Sequence, residues 1–367
     1  MSWGLDNLPY GVFSRQGEAP RVGVRYGDRV LDLAAALHDE VFAAPSLNPF
    51  MARGRTAWHD TRQLIRNKLS GDLAVTEPHL IPLEQVRLHM PFEVADYVDF
   101  YCSLEHASNV GRIFRPDSEP LKPNWRHLPV GYHGRAGTVV LSGTPVRRPH
   151  GQLRAGVYGP TAKLDIEAEL GFVVGVPSAL GSPAGPFEEH VFGVTLVNDW
   201  SARDIQAFEY VPLGPFLGKS FATSISPWVT PLEALPRVPG RAQDPEPLDY
   251  LRRKDDWGLD ITLEVELNGE VVSRPPYRSM YWTPDQMLAH LTVNGASLRT
   301  GDLFASGTVS GELREERGSL IELTWNGADP IKLGGGEARA FLQDGDTVTI
   351  RATAGDISLG EVTGKVG

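Results

Sequence analysis

Asp99, Glu167, Glu169 and Asp199 are four carboxylates at strand positions or strand ends. Brought together they would make an all-oxygen site suited to calcium or magnesium and poor for zinc. Four formal negative charges favour calcium, which accepts more ligands and looser geometry. Two of the four lie in LDIEAEL, residues 164 to 170, where Asp165, Glu167 and Glu169 alternate with Leu164, Ile166, Ala168 and Leu170. On a strand that alternation puts the acids on one side and the apolar residues on the other. Three like charges on one ridge repel each other unless water screens them or a cation joins them. A second stretch, LDITLEVEL at 259 to 267, alternates Glu264 and Glu266 in the same way and runs into Asn268-Gly269, a strong two-residue hairpin signal. It reads as an ordinary hairpin with one wet face. The alternation alone therefore leaves 164 to 170 open between a solvated strand and a metal site.

Three further stretches carry groups that can move protons or bind anions. In DYVDFYCSLEHASNVGRIF, residues 96 to 114, Tyr97, Asp99 and Tyr101 share one face of a strand. Ser103 then makes an N-cap, followed by a helical stripe of Leu104, Ala107, Val110 and Phe114. His106 falls in the first helical turn, where the positive end of the dipole disfavours imidazolium and leaves a neutral proton acceptor. The bland alternative is a hydrogen-bonded structural histidine. In residues 194 to 221 an apolar strand ends at Asn198-Asp199, and Ser201 with Asp204 resembles a helix-opening box. Arg203, Gln206 and Tyr210 then share one helical face, and a Pro/Gly loop delivers Lys219; the alternative is a polar surface stripe. In FASGTVSG, residues 304 to 311, Thr308 and Ser310 sit on a Gly-rich turn. The following GSLIELTW reads as a strand in which Glu322, among apolar neighbours, needs a partner that a histidine would supply, unless the strand is half exposed. No P-loop, G-x-S-x-G elbow or H-E-x-x-H occurs.

The elements that must position these groups follow from composition. A chain of 367 residues exceeds the usual single core, which predicts a small module over 1–85 and a larger one over 86–367. With 29 prolines and 39 glycines interrupting helical patterns, the fold class is mainly β, a β-rich α+β protein. A net charge of -11 without a basic run argues against nucleic acid and anionic membrane and for a small-molecule partner. The N-terminus lacks a secretory pattern, and no apolar stretch of about 18 residues could span a bilayer, so a cytoplasmic location is expected. The single cysteine, Cys102, excludes an internal disulfide and cysteine-rich metal sites, and reads as a small buried apolar residue.

The stretches DYVDFYCSLEHASNVG, PNWRHLPVGYHGRAGTVVLSGTPVRRPHGQ, LDIEAELGFVVG and NDWSARDIQAFEYVPLGPFLGKSFATSISPWV, supported by SGTVSG and GSLIELTW, resemble the fumarylacetoacetase family. The resemblance runs from about residue 91 to 350. It implies an N-terminal SH3-like barrel, a larger β-roll or sandwich domain, a homodimer, and cleavage of the C–C bond of 4-fumarylacetoacetate, the last step of tyrosine and phenylalanine degradation. It places calcium on Asp99, Glu167, Glu169 and Asp199, and a second cation, magnesium, near Asp199, Lys219 and Thr223. His106 would be the general base and Glu322 its orienting partner; Arg115, Gln206 and Lys219 would stabilise the oxyanion. Substrate contacts fall on Tyr101, Arg115, Tyr132, Gln206, Tyr210, Lys219 and Thr308, while Asp165 matches no ligand position and is left a structural or solvated role. The chain departs from the family at Leu104-Glu105, which adds a negative charge beside the base, and in shorter loops near 116–120 and 312–317, the second of which is expected to border the pocket. Two alternatives remain: an acylpyruvate hydrolase or a related decarboxylase or isomerase with the same fold and metal, and a non-catalytic calcium-stabilised binding module.

Overall fold

The computed structural model describes residues 3–71, 76–253 and 255–367. Most of its regular structure is β, organised around one 13-stranded sheet and a second sheet of four strands. The large sheet runs Leu80–Pro82, Arg29–Asp32, Arg21–Tyr26, Tyr10–Ser14, Trp228–Pro231, Val191–Asp199, Ala168–Val174, Leu303–Ala305, Tyr97–Phe100 and Gly131–His133 along its main path. Its central strands, Val191–Asp199 and Ala168–Val174, are buried along their whole length, as continuous apolar runs covered on both faces must be.

The N-terminal strands do not form a separate closed barrel among the described residues. Tyr10–Ser14 pairs with Arg21–Tyr26 and Arg87–His89 and also, through Tyr10 and Gly11, with Trp228–Pro231 of the larger unit. No pairing joins Leu80–Pro82 to Arg87–His89. The ladder thus stays open and merges into the large sheet, so the SH3-like closure is not seen and a mostly β architecture is. A helix, Arg55–Ser70, accompanies these strands and buries Trp58, Ile65 and Leu69.

The control hairpin forms as its sequence dictates. Thr262–Leu267 turns through Asn268 and Gly269, both with positive φ, so that Leu267 pairs with Glu270. Glu264 and Glu266 lie on its outer face against Arg274 and Arg351. LDIEAEL behaves otherwise. Leu164–Asp165 pairs with Ser201–Ala202, Glu167 bridges to Ser319, and Ala168–Val174 enters the large sheet, with every residue from 164 to 174 buried. No wet face exists there.

Two local expectations are corrected. GSLIELTW is not a strand: Leu320–Leu323 forms one helical turn, because the N–H groups of Leu320 and Ile321 donate to the Asp165 carboxylate, a partner that sequence periodicity cannot reveal. The Ser201/Asp204 helix-opening box does not form either. The helix Arg203–Glu209 starts after Ala202, while Ser201 donates to Asp199 O and Asp204 accepts from Thr161 Oγ1 and the Ala162 N–H.

Candidate metal and base site

Strand ends and two helices, Leu104–Phe114 and Arg203–Glu209, converge on a cavity of about 440 Å³. Asp99 comes from Tyr97–Phe100, held parallel to Leu303–Ala305 and antiparallel to Gly131–His133, which sets Tyr132 directly opposite it. Asp199 ends Val191–Asp199 opposite Thr223, and Glu169 lies on the neighbouring strand Ala168–Val174 opposite Val197, two residues before Asp199. One carboxylate oxygen from each of Asp99, Glu167, Glu169 and Asp199 falls within 4.8 Å of the others, and all four residues are buried.

Electrostatics divides the cluster. Lys219 Nζ bonds both Glu167 and Asp199, the latter at 2.7 Å, and an Arg203 guanidinium nitrogen lies 2.7 Å from Glu167 Oε1. Burial pushes Glu167 up, but Lys219, Arg203 and His106 outweigh it and hold this carboxyl well below the usual range. Asp199 accepts from Thr223 at 3.0 Å and Tyr132 at 3.1 Å. Asp99 Oδ1 and both oxygens of Glu169 have no hydrogen-bond donor among the described residues. Burial, with Asp199 facing Asp99 and Asp99 facing Glu169, drives both carboxyls well above their ordinary values. Among the described residues, and counting Asp165, five buried carboxyl groups meet two lysine or arginine cations, Arg203 and Lys219. A pocket of donor-free carboxylate oxygens with that deficit fits a hard cation.

His106 sits where its sequence position puts it. Ser103 caps Leu104–Phe114 by accepting from the His106 N–H. The imidazole Nδ1 lies 2.6 Å from Glu322 Oε2, and Nε2 faces Glu167 Oε1 at 3.7 Å. Burial opposes ionisation of Glu322, yet His106, Asn109 and Ser319 together keep it below its ordinary value. Asn109 donates to one Glu322 oxygen, and Ser310 and Ser319 to the other. A carboxylate so fully bonded cannot swing, and it fixes the tautomer in which Nδ1 carries the proton.

Tyr101, Arg115, Tyr132, Gln206, Tyr210 and Lys219 all line the cavity, and the Tyr101 ring meets His106 edge-on at 5.3 Å. Thr308 does not line it; this residue is buried and its hydroxyl has no partner. Arg203, which sequence reading placed on the helical face without a site role, also lines the cavity. The signal was its position four residues beyond Asp199. Asn109, Ser310 and Ser319 carry no sequence signal as partners of Glu322.

The departures from the family pattern also find their places. Glu105 turns away from His106 and pairs with Arg241 at 2.7 and 2.9 Å, so its charge is spent outside the cavity. Glu105→Gln is therefore expected to leave turnover unchanged; a steady-state assay in which kcat fell clearly would contradict this placement. The 116–120 loop does border the cavity through Pro120, whose carbonyl accepts from Arg115 at 3.0 Å. It folds back so closely that a Cβ at Gly111 would meet Pro120 O at 2.0 Å, which accounts for a glycine inside a helix. Residues 312–317, expected at the pocket, do not line it; Arg317 instead donates to the Glu322 carbonyl.

Fold and site together define an enzyme of mostly β architecture with a buried acidic cluster able to hold a metal ion. Residues 6–91 match the family described as fumarylacetoacetase N-terminal, and 96–367 match fumarylacetoacetate hydrolase C-terminal. The chain belongs to the fumarylacetoacetate hydrolase family. It is 47% identical to the fumarylacetoacetase of Homo sapiens over 99% of this chain and 95% of the relative, and 45% identical to that of Caenorhabditis elegans over 99% and 96%. In fold it is similar to the fumarylacetoacetate hydrolase of psychrophilic Exiguobacterium antarcticum, with a TM-score of 0.59 at 20% identity over 98% of this chain and 99% of the other.

Proposed function

We propose that this enzyme hydrolyses 4-fumarylacetoacetate to fumarate and acetoacetate, the last step of tyrosine and phenylalanine degradation. The observation that carries the chemistry is the buried hydrogen bond from His106 to Glu322 beside the acid cluster. Relatives that bear the name fumarylacetoacetase support the substrate.

Cleaving a β-diketone between its carbonyls requires a carbanion to leave, which is feasible when it leaves as an enolate. With its Nδ1 proton held by Glu322, His106 presents Nε2 to take a proton from water, and the hydroxide adds to the carbonyl next to the fumaryl arm. Arg115, Gln206 and Lys219 line the cavity as donors to the resulting oxyanion. As the C–C bond breaks, its electron pair goes to the acetoacetate enolate, which takes the proton back from His106. Tyr101, Tyr132 and Tyr210 grip the carboxylate ends.

Asp99, Glu167, Glu169 and Asp199 would hold the cation, with calcium favoured by four anionic oxygen donors. Such a cation supplies polarisation of a carbonyl oxygen and charge neutralisation for the enolate. The second cation, magnesium, near Asp199, Lys219 and Thr223 has weaker support: the last two side chains donate to Asp199, and an ammonium is no ligand, so Lys219 could reach a metal only by its carbonyl. No step is derived through it.

The division into an N-terminal module over 1–85 and a catalytic part over 86–367, the homodimer and the cytoplasmic location belong to the same proposal and rest on the family. No helix among the described residues is long and apolar enough to cross a membrane.

The test is to incubate the purified protein with fumarylacetoacetate and with simpler acylpyruvates, with and without a chelator, following diketone absorbance and the acids released. Chelator-sensitive release of fumarate and acetoacetate is expected. Activity on the simpler compounds alone would replace this reading with that of an acylpyruvate hydrolase, and activity on none of them would favour the binding module.

A further inference from the structure

Asp165 is the third acid of LDIEAEL, and the proposed chemistry does not use it. It is fully buried, and each carboxylate oxygen takes two donors. Oδ1 accepts from the N–H groups of Ile166 and Leu320, both at 2.7 Å. Oδ2 accepts from Arg203 Nε at 2.7 Å and from the Ile321 N–H at 3.0 Å. Arg203 and the 320–321 peptides lie on separate segments, each of which leads to a group at the site. Arg203 extends past Asp165 to Glu167 at 2.7 Å and to Gln206 at 3.2 Å, and it lines the cavity with one guanidinium nitrogen unpartnered. Leu320 and Ile321 open the turn whose next residue is Glu322, the partner of His106.

We infer that Asp165 is a positioning residue, whose one carboxylate fixes the guanidinium of Arg203 against Glu167 and, through the peptide turn at 320–321, the aim of Glu322 at His106. The inference rests on the roles proposed above for His106 and Glu322. A shorter or neutral side chain could fill the space, but four donors converging on one residue need two anionic oxygens. An asparagine at 165 would turn an NH₂ group toward a guanidinium or a backbone N–H. One of the two segments must then shift, and displacements near 1 Å are enough to cost catalysis heavily.

The test uses the full chain loaded with calcium. Asp165→Asn is expected to lower kcat by about 10-fold or more with KM changed less than about 3-fold, since it disturbs geometry that matters at the transition state. In the proton spectrum the downfield signal of the His106 Nδ1 proton should move, because its hydrogen bond to Glu322 is re-aimed. Added to Glu322→Gln, the same substitution should cost less than it does in the native background, the mark of action through Glu322. Asp165→Glu, which restores the charge with a longer reach, should recover part of kcat.

A native kcat with an unmoved His106 signal overturns the inference, as does a loss of activity that merely tracks the unfolded fraction. If neither Asp165→Asn nor Asp165→Glu folds, Asp165 is a folding residue and the positioning role falls. His106→Asn run in parallel separates the two levels. An active His106→Asn sinks the base assignment itself, whereas an inactive one beside a fully active Asp165→Asn sinks this inference alone.

Discussion

His106→Asn should yield a folded protein that turns over fumarylacetoacetate slower by about 10²-fold or more. Asparagine is chosen because it separates structure from chemistry. Its amide N–H can still donate toward Glu322, so the buried carboxylate keeps a partner beside Asn109, Ser310 and Ser319. An amide nitrogen cannot accept the proton that Nε2 takes. The loss should therefore fall on kcat, with KM and calcium affinity little altered, because none of the four acids that would bind the cation loses a ligand atom. Circular dichroism would confirm the fold, and the fall in diketone absorbance would give the rate. Turnover near the native value would show that the pair of His106 and Glu322 is structural.

What the sequence revealed of this site follows the reach of the interactions involved. Ser103 capping the helix of His106, the Asn268-Gly269 hairpin and the shared face of Arg203, Gln206 and Tyr210 depend on residues a few positions apart, and all were legible. The helical turn at Leu320–Leu323 was not, because its first donors are satisfied by Asp165, more than 150 positions away. A four-residue apolar run holds no periodicity that separates strand from helix. Ser201 and Asp204 spelled a helix-opening box, but Thr161 and Ala162 reach Asp204 from another segment. The open N-terminal ladder has the same origin, since Tyr10–Ser14 finds a strand beyond its own module. Four acids were legible as a set through the family resemblance. That two of them lack donors while a third holds Lys219 and Arg203 is a property of the packed structure alone.

That division predicts opposite signs for two similar substitutions in the absence of metal. Glu169→Gln removes an acid that has no donor, faces Asp99 and whose ionisation burial opposes, so the metal-free protein should become more stable as the pH rises and the native carboxyl is forced to ionise. Glu167→Gln removes the charge on which Lys219 and Arg203 converge, leaving two buried cations short of a partner, and should destabilise the same state by about 3–5 kcal/mol. Both should weaken calcium binding. If calcium at 100 times its native Kd stabilises the native protein by about 2.7 kcal/mol, a hundredfold weaker site retains only about 0.4 kcal/mol at the same concentration. Thermal denaturation in chelator and then in calcium reads both effects in one series, with Glu264→Gln on the outer face of the control hairpin expected to change neither. The double variant Glu167→Gln, Glu169→Gln should lose activity along with calcium affinity. Should it keep both, LDIEAEL would be a buried ion-paired strand with no part in holding a cation. Should Glu169→Gln instead lower the stability of the metal-free protein, the carboxylate must have a partner that compensates it without metal, and the charge deficit that argues for a cation would disappear.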